Sequence, residues 1–356
     1  MRLRRLLSLS LVLSLLLIAV LSCAGGEFDD YYETAEDCLP DEVYDEVDQL
    51  CYPAVDCEGE DCAEFDEDLV GLFFDLVDEL LAGHDWETED IDLDEDGTVL
   101  ITYEVQDSRI VNPETALVSD ELANYQEDTD THQKIWAYFA NMIPAGHRED
   151  VVKFVVFTDG VDGAMAAVDQ DTDDPTDWVL SVDIADAADP KELTYTFVHE
   201  FGHLLTLDDS QVQIDPKLFY QPDDEALYEQ AAQACANYFP GEGCSLPSSY
   251  INAFVGRFWA DIYDEWLDIE TIEDDDAYYG ALEDFYYKYE DVFVTDYAAT
   301  NPEEDIAESW AYFVLKAKPD GDTIAEAKVL FFYEWPELTK LRAQIIPRTY
   351  SRLRRE

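Results

Sequence analysis

The segment 193–207 constrains the fold of this chain more than any other, because it is apolar, lacks proline and carries two histidines four residues apart. Such a segment predicts an α-helix buried in a core. Residues four apart share one face of a helix, so the imidazoles of His199 and His203 converge on one point, with Glu200 beside them. Two neutral imidazoles suit Zn²⁺, and a neighbouring carboxylate can accept a proton from a water on the metal. The segment is therefore predicted to be a core helix that carries part of a zinc site.

This spacing is the H-E-x-x-H pattern of zinc peptidases. The alternative is a chance match, which is uncommon in a chain with 5 histidines in 356 residues. The other three histidines have no ligand-like spacing and are interpreted as surface or packing residues; they are His84, His132 and His147.

The N-terminus has the pattern of a secretory signal over residues 1–22. Arginines precede an uncharged apolar run over 6–21, and small residues follow it. Residues 20–23 resemble a bacterial lipobox, which predicts acylation of Cys23, export and a lipid anchor in the cell-envelope membrane. Ala24 fits sorting to the outer membrane in a cell with two membranes. The alternative is ordinary secretion with an incidental cysteine.

The cysteine count favours acylation of Cys23 over an incidental cysteine. Of 7 cysteines, Cys23 is set aside, and an even number remains, which outside the cytoplasm fits disulfides. Cys235 and Cys244 bracket a short loop with proline and glycines and are expected to pair. The pairing of the other four is left open; they are Cys38, Cys51, Cys57 and Cys62. A zinc ribbon would need C-x₂-C pairs, which these four lack.

The charge is strongly acidic, with 84 acidic and 20 basic residues and a formal net charge of −64. Phosphate binding needs a basic surface, so nucleic acid is a poor partner. A hydrophobic content of 47% still predicts a folded core. The acidic excess resembles adaptation to high salt, where screening relieves self-repulsion. The alternative is an acidic surface in a cell of ordinary salinity.

Four regions are predicted along the chain: the signal over 1–22, an acidic cysteine-containing tether over 23–66, a domain over 67–345 and a basic tail over 346–356. The tail is expected to fold onto the acidic body or to be partly disordered, rather than to be a dedicated binding segment. We expect a monomer.

Hydrophobic periodicity predicts an α+β fold. Helices are expected at 67–82 and 130–142, and strands at 98–105, 153–158 and 178–184. After the metal helix come helical segments at 223–238, 248–268, 276–290, 302–317 and 322–345. A small mixed sheet, an H-E-x-x-H helix and a mainly helical C-terminal half suit a zincin-like metallopeptidase domain. In such folds the strand just before the metal helix often edges the cleft, where it can pair with extended substrate.

A catalytic zinc needs a third protein ligand. Asp209 lies six residues after His203, where metzincins place that ligand, but Thr206 stands where their motif has glycine. Asp209 is therefore the weaker candidate.

The stronger candidate lies a hundred residues later. Asn301 suits a helix N-cap, Pro302 the first helical position and Glu304 the third. Glu304 and Glu308 are four apart and share a face. The alternative is a capping box with a solvated acidic flank.

The H-E-F-G-H segment, Tyr297 and the run T-N-x-x-E-x-x-A-E over 300–308 resemble gluzincin-type zinc metallopeptidases, in the form of the anthrax lethal factor catalytic domain and its bacterial relatives. The resemblance implies that Glu304 is the third zinc ligand and that Tyr297 stabilises the oxyanion. It implies that Glu308 orients a ligand histidine. It covers these motifs closely and the element order of 150–315 loosely, and it leaves out the segment 204–296.

Two acidic loops give weaker signals for Ca²⁺. Residues 92–97 begin like an EF-hand loop, but Tyr103 occupies the twelfth position, where glutamate is required. Asp169, Asp171 and Asp173 form a second acidic run. In so acidic a chain, solvated turns are the simpler interpretation of both.

These observations predict a secreted, lipid-anchored zinc endopeptidase that acts on protein or peptide substrates, with Glu200 as general base. The alternative is a zinc-containing lipoprotein without activity that serves as a binding or structural module.

Overall fold

The computed structural model describes residues 97–160, 163–187 and 193–353, with 42–48, 50–55, Cys38, Cys57 and Cys62. The signal over 1–22, the lipidation site Cys23, the helix over 67–82 and the acidic run over 92–96 lie outside the described residues. The chain divides into two compact units, 1–52 and 53–356.

Strand β1 (Glu42–Asp45) lies in the first unit and pairs with β2 (Leu50–Pro53). Cys38 and Cys51 lie at disulfide distance within the first unit. In the second unit, Cys57 pairs with Cys62 and Cys235 with Cys244.

The second unit is α+β and is built on a five-stranded mixed sheet. Its strands are β3 (Thr98–Gln106), β4 (Arg109–Thr115), β5 (Val151–Thr158), β6 (Ala166–Gln170) and β7 (Trp178–Asp183). Their spatial order is β4-β3-β5-β7-β6, and only β5 and β7 pair in parallel. The three predicted strands are present. The sequence analysis missed β4 and β6.

The helix predicted over 130–142 is present as α2 (Thr129–Met142), after the short α1 (Ala123–Glu127), and a 3₁₀ turn (Ala145–His147) follows it. The ring of Phe139 lies 5.4 Å from that of Phe197, and Trp136 lies 5.6 Å from Phe154. Helix α2 thus joins the sheet to the metal helix in one aromatic core. His132 is a packing residue: it is fully buried, and its Nδ1 accepts from the Tyr103 hydroxyl at 2.9 Å.

The predicted metal helix is α3 (Leu193–Leu207). It packs against α9 (Pro302–Leu315), and the two helices are in close contact at Gly202. A Cβ at Gly202 would lie 3.0 Å from the Ala307 Cα and 3.1 Å from the Trp310 ring. Glycine at this position therefore permits the close crossing that brings the two helices together.

Between these helices the chain forms a small hairpin and a group of helices. Strand β8 (Val212–Ile214) pairs with β9 (Gly243–Ser245), with α4 (Pro216–Phe219) and α5 (Glu225–Ala234) between them. Then follow α6 (Tyr250–Phe258), α7 (Tyr263–Ile269), α8 (Asp275–Lys288) and two 3₁₀ turns (Glu290–Val292 and Tyr297–Ala299). The segment predicted over 248–268 is thus two helices. The break lies beside Trp259, which is fully buried and donates from its indole nitrogen to Asp305 at 2.7 Å.

The helix predicted over 322–345 is also two helices, α10 (Ile324–Phe332) and α11 (Pro336–Leu353). Pro336 starts the second, as proline favours a first helical position. Helix α11 continues past 345 because Ile346 and Thr349 are fully buried. Residues 346–353 are therefore helical, whereas the sequence analysis began a separate tail at 346.

Within the described ranges, no helix combines the length and the apolar character needed to cross a membrane.

Candidate metal centre

Helix α3 contributes two histidines to one point, as its spacing predicts. The Nε2 atoms of His199 and His203 lie 3.1 Å apart, and their rings meet edge to face at 4.8 Å between centroids. His199 and Glu200 are both buried, at 6% and 7% exposure. The helix therefore presents paired imidazole nitrogens from largely buried side chains.

The first turn of α9 brings the third ligand candidate to the same point. Asn301 caps the helix, its side-chain oxygen accepting from the Glu304 N–H at 2.8 Å, and Pro302 follows the cap. The Glu304 carboxylate then lies 3.0 Å from Nε2 of His199 and 3.3 Å from Nε2 of His203. The cap thus sets where α9 begins and which residue faces the histidines.

These three atoms fit a metal ion. Tetrahedral zinc with bonds of about 2.0 to 2.1 Å separates its ligand atoms by about 3.3 Å. Separations of 3.0, 3.1 and 3.3 Å between the three donor atoms are close to that value. The buried group of His199, His203 and Glu304 is therefore positioned to hold a single metal ion.

Glu308 lies behind the group and contacts the other nitrogen of His199. Its Oε1 is 2.7 Å from His199 Nδ1, and its Oε2 accepts from the hydroxyls of Tyr195 at 2.8 Å and Thr295 at 2.6 Å. A carboxylate at Nδ1 keeps the proton there and leaves the Nε2 lone pair free for a metal. The sequence analysis missed Tyr195 and Thr295, although Tyr195 lies on the His199 face of the helix, four residues earlier.

The electrostatics of the group favour a positive charge. Burial raises the pKa of Glu304, but the two imidazoles outweigh burial and hold it well below the usual range. Burial lowers the pKa of His199, but the carboxylates of Glu304 and Glu308 raise it well above its ordinary value. Burial also raises the pKa of Glu200 to about 7, against the lowering effect of the histidines. His199 and Glu304 thus stabilise each other's charged forms.

The group opens onto a cavity of about 1750 Å³, here called the cleft, which Glu200 and Tyr297 also line. The Tyr297 ring lies 5.8 Å from that of His199. The cleft is large enough to take an extended peptide rather than a small molecule alone.

The edge of the sheet at the cleft is β6, which corrects the expectation for the strand just before the metal helix. That strand, β7, lies between β5 and β6, while all five residues of β6 line the cleft. The short sequence of β6, A-A-V-D-Q, has little of the β-branched or aromatic content that predicts a strand.

The other sequence candidates lie elsewhere. Asp209 is exposed and outside the group. In the acidic run over 169–173, Asp171 and Asp173 accept from the Lys153 ammonium at 2.7 and 2.9 Å, while Asp169 lines the cleft. A protein ammonium group therefore already pairs with two of the three carboxylates considered for Ca²⁺.

A second group of carboxylates, missed in the sequence, lies at the carboxyl ends of β5 and β7: Asp159, Asp183 and Asp186. Asp183 is fully buried and accepts from the backbone N–H of Asp159 at 2.8 Å and of Ala185 at 2.6 Å. Burial raises its pKa to about 7.

Comparison of the chain with protein-family models, with curated proteins and with solved structures finds no match.

Proposed function

We propose that this protein is a zinc-dependent endopeptidase of a zincin-like, gluzincin type. The observation that carries the proposal is the convergence of His199, His203 and Glu304, with ligand atoms 3.0 to 3.3 Å apart, at the wall of a cleft of peptide dimensions. Imidazole and carboxylate ligands at this spacing suit Zn²⁺, and three protein ligands leave a position for water or substrate.

Bound there, zinc would polarise a water molecule and the carbonyl of a peptide bond. Glu200 follows His199 directly and lines the cleft, so its carboxylate can accept the proton of the attacking water. The same group then returns the proton to the leaving amine. Because Glu200 is buried, its carboxylate has few competing water contacts.

Tyr297 and Glu308 have separate roles in the proposal. The Tyr297 hydroxyl would donate to the carbonyl oxygen as negative charge develops on it. Glu308 would hold the His199 ring through Nδ1, and Tyr195 and Thr295 would hold Glu308 in turn. The strand β6 offers the cleft an edge with which an extended substrate can pair.

The location proposed for the protein is the outside of the cytoplasmic membrane, with a lipid on Cys23. Three cysteine pairs at disulfide distance support an oxidising compartment. Incorporation of labelled palmitate into the wild-type chain, and its loss in Cys23→Ser, would test the anchor.

The function is tested with a generic protein substrate and purified protein carrying measured zinc, with and without a chelator. We expect cleavage that the chelator abolishes and added zinc restores. Glu200→Gln keeps the shape of the side chain and should retain zinc while the cleavage rate falls about 10² to 10⁴-fold. Normal cleavage by Glu200→Gln would contradict the general-base role. Zinc retention without cleavage of any substrate by the wild type would favour a binding or structural module instead.

A further inference from the structure

One wall of the cleft is built by the segment between the two ligand helices and by the first turn of α9. The chemistry of this wall differs from that of the β6 wall. Four of its residues form what is here called the carboxylate–tyrosine pocket: Tyr238, Glu242, Tyr263 and Glu303. Three of them come from the segment 204–296, and Glu303 directly precedes the ligand candidate Glu304. The pocket and the metal group are therefore parts of one cavity.

The pocket contains a carboxylate held in place by a tyrosine. The Tyr238 hydroxyl donates to Glu303 Oε1 at 2.7 Å, and Tyr238 is 9% exposed. The rings of Tyr238 and Tyr263 meet edge to face at 6.1 Å, and Trp266 lies 5.3 Å beyond Tyr263. Carboxylates beside aromatic faces are the combination that binds an ammonium or guanidinium group, through ion pairing and cation–π attraction.

The loop that carries Tyr238 and Glu242 is anchored at several points. Cys235 and Cys244 pair across it. The Tyr238 N–H donates to the Asn252 side chain at 2.9 Å, and its carbonyl accepts from the Ser245 hydroxyl at 2.6 Å. The pocket wall is thus fixed before any ligand arrives, which lowers the entropic cost of binding.

No positively charged side chain in the described part of the chain pairs with these carboxylates. Among the described residues, no lysine or arginine lines the cleft, and neither Glu242 nor Glu303 forms a salt bridge. Elsewhere in the fold, one buried carboxylate does have such a partner: Asp305, two residues after Glu303, pairs with the buried ammonium of Lys328 at 2.5 Å. A pair of cleft carboxylates without a protein cation is complementary to a cation on the ligand.

We propose that the carboxylate–tyrosine pocket is a specificity subsite for a lysine or arginine side chain close to the scissile bond of the substrate. This inference rests on the proposed endopeptidase function. Glu303 accepts the cationic group, the rings of Tyr238 and Tyr263 pack on the aliphatic stem and the charge, and Glu242 places a second carboxyl group at the wall.

The test uses pairs of internally quenched peptides that differ only by lysine or norleucine at one position, scanned along the peptide. The medium contains about 1 M salt, where the Debye length falls to about 3 Å and general attraction to an acidic protein is screened. We expect wild-type kcat/KM to favour lysine over norleucine at one position by about tenfold or more. Glu303→Gln still accepts the Tyr238 hydrogen bond and should reduce that ratio to near one, at unchanged zinc content.

A matched control is Glu273→Gln, which removes the same charge from an exposed position outside the cleft and should keep the wild-type ratio. Glu242→Gln should reduce the ratio less than Glu303→Gln does. Cleavage with equal rates for lysine and norleucine at every position, or an unchanged ratio in Glu303→Gln, would overturn the subsite and leave the endopeptidase proposal intact.

If the zinc-loaded wild type cleaves no peptide, the endopeptidase proposal fails and the pocket is judged by binding alone. The readout is then the Kd of the same labelled peptides. Tighter binding of the lysine peptide that is lost in Glu303→Gln would support a cation pocket, and equal Kd values would exclude it.

Discussion

In the part of the chain that the structure describes, two groups of side chains bring three potential ligand atoms close enough for a cation, and they differ in what already binds those atoms. In the first, Glu308 holds His199 from behind, and the Nε2 atoms of both histidines face the Glu304 carboxylate. In the second, both carboxylate oxygens of Asp183 accept from backbone N–H groups of the neighbouring turns.

Proximity alone therefore does not distinguish a metal site from a structural turn. The histidine group is held by contacts outside the ligand atoms, which leaves those atoms directed at one another. In the aspartate group, both oxygens of the buried Asp183 already accept hydrogen bonds at the ends of β5 and β7. We therefore expect one zinc ion per molecule, bound at the histidine group.

The largest expected effect comes from removing a ligand. His203→Ala should reduce bound zinc from about one equivalent to near zero and abolish cleavage, because two remaining ligands hold zinc weakly. Elemental analysis of purified protein gives the stoichiometry. Asp183→Asn should keep the full equivalent of zinc. A second zinc in the wild type that Asp183→Asn removes would show that the aspartate group is also a metal site.

A smaller effect is expected behind the ligand. Glu308→Gln should weaken zinc binding about 10 to 100-fold, since the carboxylate that fixes the His199 tautomer becomes a neutral amide. Competition with a chromophoric chelator measures the Kd. Thr295→Val removes one hydroxyl donor to Glu308 and should have a milder effect in the same direction. An unchanged Kd in Glu308→Gln would mean that the contact from behind does not support the site.

The aspartate group should affect the pH dependence of protein stability rather than metal binding. In the folded state the pKa of Asp183 is raised to about 7, above its unfolded value. The protonated carboxyl therefore contributes stability at acid pH, and this contribution to the free energy of unfolding is lost as the pH rises through 7. Between pH 5 and 8 the wild-type free energy of unfolding should fall by roughly 2 to 3 kcal/mol more than that of Asp183→Asn. Urea denaturation at both pH values measures this, and parallel profiles would show that Asp183 does not titrate in this way.

The smallest effect is expected at Lys153, which pairs with Asp171 and Asp173 on a partly exposed surface. Lys153→Gln should cost about 1 kcal/mol or less, as solvent screens such pairs. The midpoint of urea denaturation measures it. A loss of stability well above this value would show that Lys153 stabilises the acidic loop more than a solvent-screened pair can.

The parts of the fold and site that local rules govern were predictable from the sequence. The metal helix follows from apolar residues around a four-residue histidine spacing, and the start of α9 follows from Asn301 and Pro302. Contacts between residues distant in sequence determine the rest of the fold and of the site. β6 is a strand because β7 offers it a partner, and its own residues are small or polar. Tyr238 meets Glu303 across 65 positions, and Asp159 meets Asp183 across a crossover, so neither cluster has a local signal.

Gly202, which lies between the two histidines on α3, limits how this fold can change during evolution. A Cβ at Gly202 would lie only 3.0 Å from the Ala307 Cα, so a larger residue there would require α3 and α9 to shift relative to each other by a few tenths of an ångström, and the two histidines would shift relative to Glu304. A distant descendant could replace its surface, loops and charge, yet it would have to keep glycine just before the second histidine and a small residue three positions after the ligand glutamate. That pair of small residues is a marker by which diverged relatives could be found when little else in their sequences agrees.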